Sequence, residues 1–187
     1  MTRTPLIDIA MLTPETATGE AAELLKGAKA KLGFLPNMYG YMAQLPGVLG
    51  GYLTSYDAFR QTAGFTPQEQ ETIFLTISRA NGCDYCTAAH SMLADKKSGV
   101  AADALAALRA GTTIPDARLE ALAQFTRRMV LERGAPDQAE VDAFLAAGFE
   151  PRHTLGIVLA IATKTLSNYV NHLAGTEVDA AFAAYKV

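Results

Sequence analysis

Two cysteines occur in the 187 residues, spaced as Cys83-Asp84-Tyr85-Cys86, and His90 follows one helical turn later. On a helix at about 100° per residue, Cys83, Cys86 and His90 fall within about 60° of arc. The predicted helix from Cys83 to Leu93 therefore carries both sulfurs and the imidazole on one face at its start. A thiolate there is favoured by unpaired amide N–H groups and the macrodipole. The second thiol is close enough to close a disulfide with little backbone movement. His90 can accept a proton from Cys86 directly or through one water. Glu71 lies on the preceding predicted helix, and a carboxylate beside an imidazole orients it and raises its basicity. The chemistry these types suggest is a thiol cycle. Glu71 holds His90, His90 deprotonates Cys86, and Cys86 attacks the distal oxygen of a hydroperoxide. Cys83 then captures the sulfenic acid as a disulfide, which a partner dithiol reduces.

Other readings of the same residues stay open at this level. Cys83, Cys86, His90 and Glu71 could supply four zinc ligands, although no second knuckle follows. The pair could also be two inert buried thiols, or a redox sensor without turnover. A structural disulfide is disfavoured, because the loop it closes is too short to constrain the unfolded chain much. His153 and His172 read as structural and Asn81 as a cap; Tyr41, Tyr52 and Tyr56 could line a pocket but read first as core. Asn168 and Asn171 are expected to bond across a subunit interface.

The elements that must position these residues are all helical. Glu15 to Leu32 is amphipathic and stops at Gly33, followed by a Gly33–Asn37 turn. Val48, Leu49, Tyr52, Leu53, Tyr56 and Phe59 mark a helix after Pro46. Thr66-Pro67-Gln68-Glu69 is a capping box with proline at the first helical position, opening a helix to about Ala80. Further helices are predicted near 101–110, 116–133, 138–147 and 153–174, and no strand is required. Gly64-Phe65-Thr66-Pro67 recurs as Gly148-Phe149-Glu150-Pro151, and Ile73, Leu75 and Ile77 recur at the same offset as Ile157, Leu159 and Ile161. The reactive positions do not recur: Cys83 aligns with Ser167, Cys86 with Val170, His90 with Ala174 and Glu71 with Leu155. The repeat predicts a duplicated helical unit in which one copy is kept for packing and the other for chemistry.

Composition sets the outer limits. Half of the residues are hydrophobic, and the formal charge is −3 with acids and bases interleaved. No basic face of the kind nucleic acid requires is visible. No apolar run approaches the roughly 18 residues of a membrane span, and Met1 to Pro5 shows no secretory h-region. A cytoplasmic address is expected. The chain is predicted to form one domain, divided as 1–62 (N-terminal helices), 63–110 (the C-x-x-C unit) and 111–187 (C-terminal helices with the degenerate repeat).

Glu71, Ser78, Asn81, Cys83, Tyr85, Cys86 and His90 resemble the E-x6-S-x2-N-x-C-x-Y-C-x3-H signature of the AhpD-like alkylhydroperoxidases, in the carboxymuconolactone decarboxylase superfamily. The Gly33–Asn37 turn and the helix after Pro46 resemble its peroxidase-related branch. The resemblance implies an all-α helical bundle, trimers or hexamers, and no bound cofactor. It implies a hydroperoxide substrate and a dithiol reductant, either lipoyl-bearing or thioredoxin-like. Cys86 is then the attacking thiol, Cys83 the resolving one, and His90 with Glu71 the proton relay. Well-studied members carry a second histidine where this chain has Tyr85, so a shorter relay is expected. The decarboxylases of the superfamily lack the cysteine pair, which argues against lactone decarboxylation.

Overall fold

The structure is a computed structural model that describes residues 4–187, and its regular structure there is helical throughout, with no strand among the described residues. Helix α4 (Pro67–Ala80) is the axis on which the others assemble. Its start is fixed locally: the Thr66 hydroxyl accepts from the Glu69 amide at 3.3 Å, and the Glu69 carboxylate accepts from the Thr66 amide at 2.8 Å. Every residue from Glu69 to Ser78 is buried, and a helix covered on all sides can carry apolar residues all round. Ile73, Phe74 and Ile77 join Leu122, Phe125 and Met129 of α7 (Ala117–Leu131) in one cluster. Leu75 faces a smaller cluster with Ala94 and with Leu105 and Leu108 of α6 (Ala102–Ala110).

A third cluster surrounds the cysteines. It joins α1 (Gly19–Leu32), α2 (Asn37–Met42), α3 (Pro46–Thr62) and α5 (Asp84–Lys96). Helix α8 (Gln138–Ala146) leans on α7, and α9 (Pro151–Ala174) runs beside α3 and α4. A 3₁₀ helix, Ala180–Tyr185, folds back onto α5.

The repeat is visible as stereochemistry. Gly64 and Gly148 both take positive φ, 81° and 88°, and Pro67 and Pro151 both open helices. A side chain at either glycine would be strained, so the Gly-Phe punctuation is a backbone requirement. The copies differ after their first half. The α4 copy stops at Asn81, turns through Gly82 (φ 65°) and restarts as α5, whereas α9 continues through the equivalent positions without a break. That break aims α5 at the interior.

Most predicted helices are present with ends shifted by a few residues. Helix α1 begins at Gly19, not Glu15, because the Thr13 hydroxyl accepts from the Glu15 and Thr16 amides and holds a turn there. Helix α2 was not predicted. The amide of Asn37 donates to the Asp179 carboxylate at 3.0 Å, so its first turn is capped from the far end of the chain. No described helix is long and apolar enough to cross a membrane. Replacing Thr66 by alanine removes one half of the box that starts α4. It is expected to cost about 1 kcal/mol of stability, read as a lower urea midpoint with unchanged slope.

Candidate functional site

Cys83 is not within the helix, as the spacing alone predicts, but at its N-cap, with extended φ and ψ of −97° and 96°. Its amide donates to the Ser78 carbonyl at 2.9 Å, and its carbonyl accepts from Thr87 at 2.9 Å. Cys86 sits in the first turn of α5, and His90 one turn further. Both cysteines are free thiols and each is 2% exposed. The extended cap turns the Cys83 side chain back over the first turn, so the sulfurs still converge. The Asn171 amide nitrogen lies 3.3 Å from the Cys86 sulfur and 3.7 Å from the Cys83 sulfur.

Glu71 is 1% exposed, and both of its oxygens are engaged. Oε2 lies 2.8 Å from His90 Nδ1, and Oε1 accepts from Arg60 Nη2 at 2.5 Å. Arg60 also donates to the Tyr56 hydroxyl at 2.7 Å and to Gln70 Oε1 at 3.0 Å, and it stacks over the Tyr56 and Phe74 rings. Burial alone would raise the Glu71 carboxyl, but His90 and Arg60 outweigh it and hold it below its ordinary value. Burial depresses His90, helped by the Lys164 charge and opposed by Glu71. The imidazole is therefore neutral near pH 7. With Glu71 ionised, its proton sits on Nδ1, and Nε2 is left as an acceptor.

The sequence reading missed the contribution of α9. Asn168 and Asn171 do not lie on an outer surface available to a second subunit; both are buried against this site. Asn168 Oδ1 accepts from Asn81 Nδ2 at 2.9 Å. Ser167 is wholly buried, its hydroxyl donating to the Lys164 carbonyl at 3.2 Å, and Lys164 is wholly buried with no hydrogen-bond partner for its Nζ among the described residues. The second repeat is thus not confined to packing. Its signal was present, since Lys164, Ser167, Asn168 and Asn171 mark one face of an otherwise apolar helix. Arg60 carried no comparable signal, because its partner is on another helix.

Cys86, His90 and Lys164 line a cavity of about 150 Å³ walled by Phe34, Met38, Tyr39, Tyr52, Tyr56 and Phe182 among others; Cys83 is not on its lining. Tyr52 and Tyr56, read as core in preference to pocket lining, bound the cavity, whereas Tyr41 does not. Larger hollows border α7 and contain neither cysteine. Burial opposes ionisation of Cys86, but donation from the Cys83 thiol and the Lys164 charge overcome it and hold Cys86 well below the ordinary thiol value. Donation to Cys86 pushes Cys83 up, and burial adds to the shift. The Tyr85 hydroxyl donates to Asp179 at 2.5 Å, so it anchors the C-terminal segment; burial first, then Asp179, raises it far out of the range of a base. The zinc alternative finds no support in the arrangement: Glu71 has no free oxygen, and no group of three or more His, Cys, Asp or Glu among the described residues is placed to hold a metal.

Residues 51–128 match the carboxymuconolactone decarboxylase family. That segment holds Arg60, Glu71, both cysteines and His90, and ends before α9. Comparison with curated proteins gives no match. Among solved structures, the alkylhydroperoxidase AhpD core of an uncharacterized peroxidase-related protein from Ralstonia eutropha JMP134 superposes with a TM-score of 0.81 at 21% identity, covering 96% of this chain and 95% of that one. An uncharacterized peroxidase-related protein from Silicibacter sp. TM1040 gives 0.79 at 21% identity, over 95% and 93%. A cysteine-to-alanine variant of the debrominase Bmp8 in complex with 2,3,4-tribromopyrrole gives 0.73 at 19% identity, over 87% of each chain. These likenesses are of fold.

The Glu71 cluster sets a pH dependence of stability. His90 and Glu71 are both depressed in the folded protein, so each stabilises it above its ordinary value and loses that contribution as pH falls through its folded value. Stability is expected to decline below about pH 6.5 through His90 and further below about pH 4.5 through Glu71. Glu71→Gln strands the Arg60 guanidinium and is expected to cost roughly 3–5 kcal/mol. It should also abolish the lower limb of the decline in urea titrations across pH, while the upper limb persists.

Proposed function

We propose that this chain is a thiol-dependent, peroxidase-like oxidoreductase of the AhpD-like carboxymuconolactone decarboxylase superfamily, reducing organic hydroperoxides through a Cys83/Cys86 dithiol–disulfide cycle. The family match over residues 51–128 and the shared fold support the reading. The observation that carries the proposal is the meeting of Cys86 and His90 on one cavity, with His90 held from behind by Glu71 at 2.8 Å. His90 Nε2 is the acceptor through which the Cys86 proton leaves when the thiolate forms, and a proton then taken up from solvent at Nε2 goes to the leaving group. The Cys86 thiolate attacks the distal oxygen; the S–O bond forms, the O–O bond breaks, and the alkoxide departs as an alcohol. The Cys83 thiol then attacks the Cys86 sulfenic acid, which forms the disulfide and releases water. A dithiol, lipoyl-bearing or thioredoxin-like, supplies the two electrons that restore the pair, attacking Cys86, the sulfur on the cavity.

The apolar walls favour a hydroperoxide with a hydrocarbon body over hydrogen peroxide. Leu155, Val158, Tyr169 and Leu173 are exposed along the outer side of α9, which supports self-association as a trimer or hexamer. A cytoplasmic address belongs to the same reading. A second reading has the dithiol acting on an aromatic electrophile other than a peroxide. The ring-lined cavity favours it, as does the ligand held on this fold by the Bmp8 variant.

Stopped-flow consumption of cumene hydroperoxide by the pre-reduced protein tests the proposal. Wild type is expected to consume about one equivalent rapidly and Cys86→Ser none. Cys83→Ser should still react and accumulate a trappable sulfenic acid. His90→Asn should slow the reaction about 10²–10⁴-fold. Equal, slow reaction of all four proteins would remove the peroxidase reading and leave the non-catalytic or aromatic-electrophile readings.

A further inference from the structure

We infer that Lys164 is the buried counter-charge of the Cys86 sulfur, a positioning residue that keeps the reduced pair as one thiolate and one thiol and is left without a partner when the disulfide forms. The inference rests on the dithiol reading above. Its first support is geometric. Lys164 is wholly buried, its Nζ makes no hydrogen bond among the described residues, and the Phe74 ring centroid lies 5.6 Å away. An ammonium out of water requires a compensating anion nearby. Lys164 and Asn171 lie on one face of α9; Asn171 reaches the Cys86 sulfur at 3.3 Å, and Lys164 shares the cavity with Cys86.

Its second support is a charge count over the groups facing Cys86. From α3 and α4, Arg60 and Glu71 pair with each other, and the second Glu71 oxygen is taken by His90. Asp179, ahead of the 3₁₀ helix, is taken by Tyr85 and by the Asn37 amide. The phenols of Tyr39, Tyr52, Tyr56 and Tyr85 are all pushed up, chiefly by burial, and stay neutral. Arg109 of α6 turns away, to Ser91 and to the Tyr185 carbonyl. Cys83 remains a thiol and His90 is uncharged near pH 7. Among the described residues, the only place left for an anion beside Lys164 is Cys86.

Two consequences follow for the redox couple. Reduction of the disulfide takes up two electrons and one proton, giving the Cys83 thiol and the Cys86 thiolate, with Lys164 protonated in both states. Oxidation strands Lys164, which favours the reduced form and makes the disulfide an oxidising one. The test is equilibration of the protein with reduced and oxidised dithiothreitol between about pH 6 and 7, with the thiol state read by alkylation. Reduction by a fully protonated dithiol releases one proton, so the equilibrium constant is expected to rise tenfold per pH unit, equivalent to about 30 mV. Lys164→Arg should keep that slope and Lys164→Met should flatten it. Lys164→Met should also shift the thiolate ultraviolet absorbance of the reduced protein upward by more than one pH unit. It should raise the melting temperature of the oxidised protein and lower that of the reduced one, a split that a purely structural lysine would not produce. A flat slope in wild type overturns the inference without any variant, and so does a Lys164→Met slope equal to wild type. No peroxide enters these measurements. A tenfold slope without peroxide turnover would fail only the proposed function, and turnover with a flat slope would fail only this inference.

Discussion

Glu71 stands almost wholly out of water, on the most enclosed helix of the protein, and an ionised carboxylate in that position is tolerable only if every lone pair facing the interior is engaged. Arg60 takes one oxygen and His90 the other. Much of the site follows from that requirement. Arg60 must come inward, so α3 is held against α4 by Gln70 and the Phe74 ring as well as by the ion pair. His90 must present Nδ1 to the carboxylate, so its tautomer is set and its other nitrogen is directed away from Glu71. The orientation of α5, on which His90 rides, is thereby tied to the same contact. The carboxylate acts less as a base than as the fixed point from which the imidazole is aimed.

The broken repeat explains how α5 reaches that contact. An unbroken helix in place of α4 and α5 would carry the cysteines outward along the direction that α9 keeps. The stop at Asn81 and the positive φ of Gly82 redirect the chain, and Cys83 begins the new helix as its cap. The unbroken copy, α9, turns its polar face inward, where Asn171 meets the Cys86 sulfur. Two halves that began alike have come to supply different parts of one site: sulfurs and imidazole from the first, and a cation, a hydroxyl and amides from the second.

Desolvation is the common cause behind the site's electrostatics. Water is largely excluded around Cys86, so each local donor or charge counts for more than it would at a surface. The same exclusion holds His90 neutral, keeps four phenols protonated and separates the two thiols into unequal roles. The inequality does not come from the helix end alone. Cys83 is nearer the start of α5, but Cys86 faces α9 and the cavity, and it is the thiol that is stabilised as an anion.

The sequence alone determined what local rules control. The capping box of α4, the glycine stop of α1, the repeated Gly-Phe punctuation and the register of Cys86 with His90 all depend on residues within a few positions of one another, so spacing was enough to read them. Glu71 was also legible as a partner for His90, and its carboxylate lies 2.8 Å from His90 Nδ1. Only the tertiary structure decided that Cys83 is a cap, that α2 is helical because Asp179 caps it, and that Arg60 and Lys164 carry the compensating charges. Those facts join helices far apart in the chain, and a long-range contact leaves no period in the sequence. The polar stripe of α9 shows the boundary between the two. Its spacing announced a buried polar face, but nothing local could say whether that face met another subunit or the two sulfurs, because the answer depends on where α9 packs.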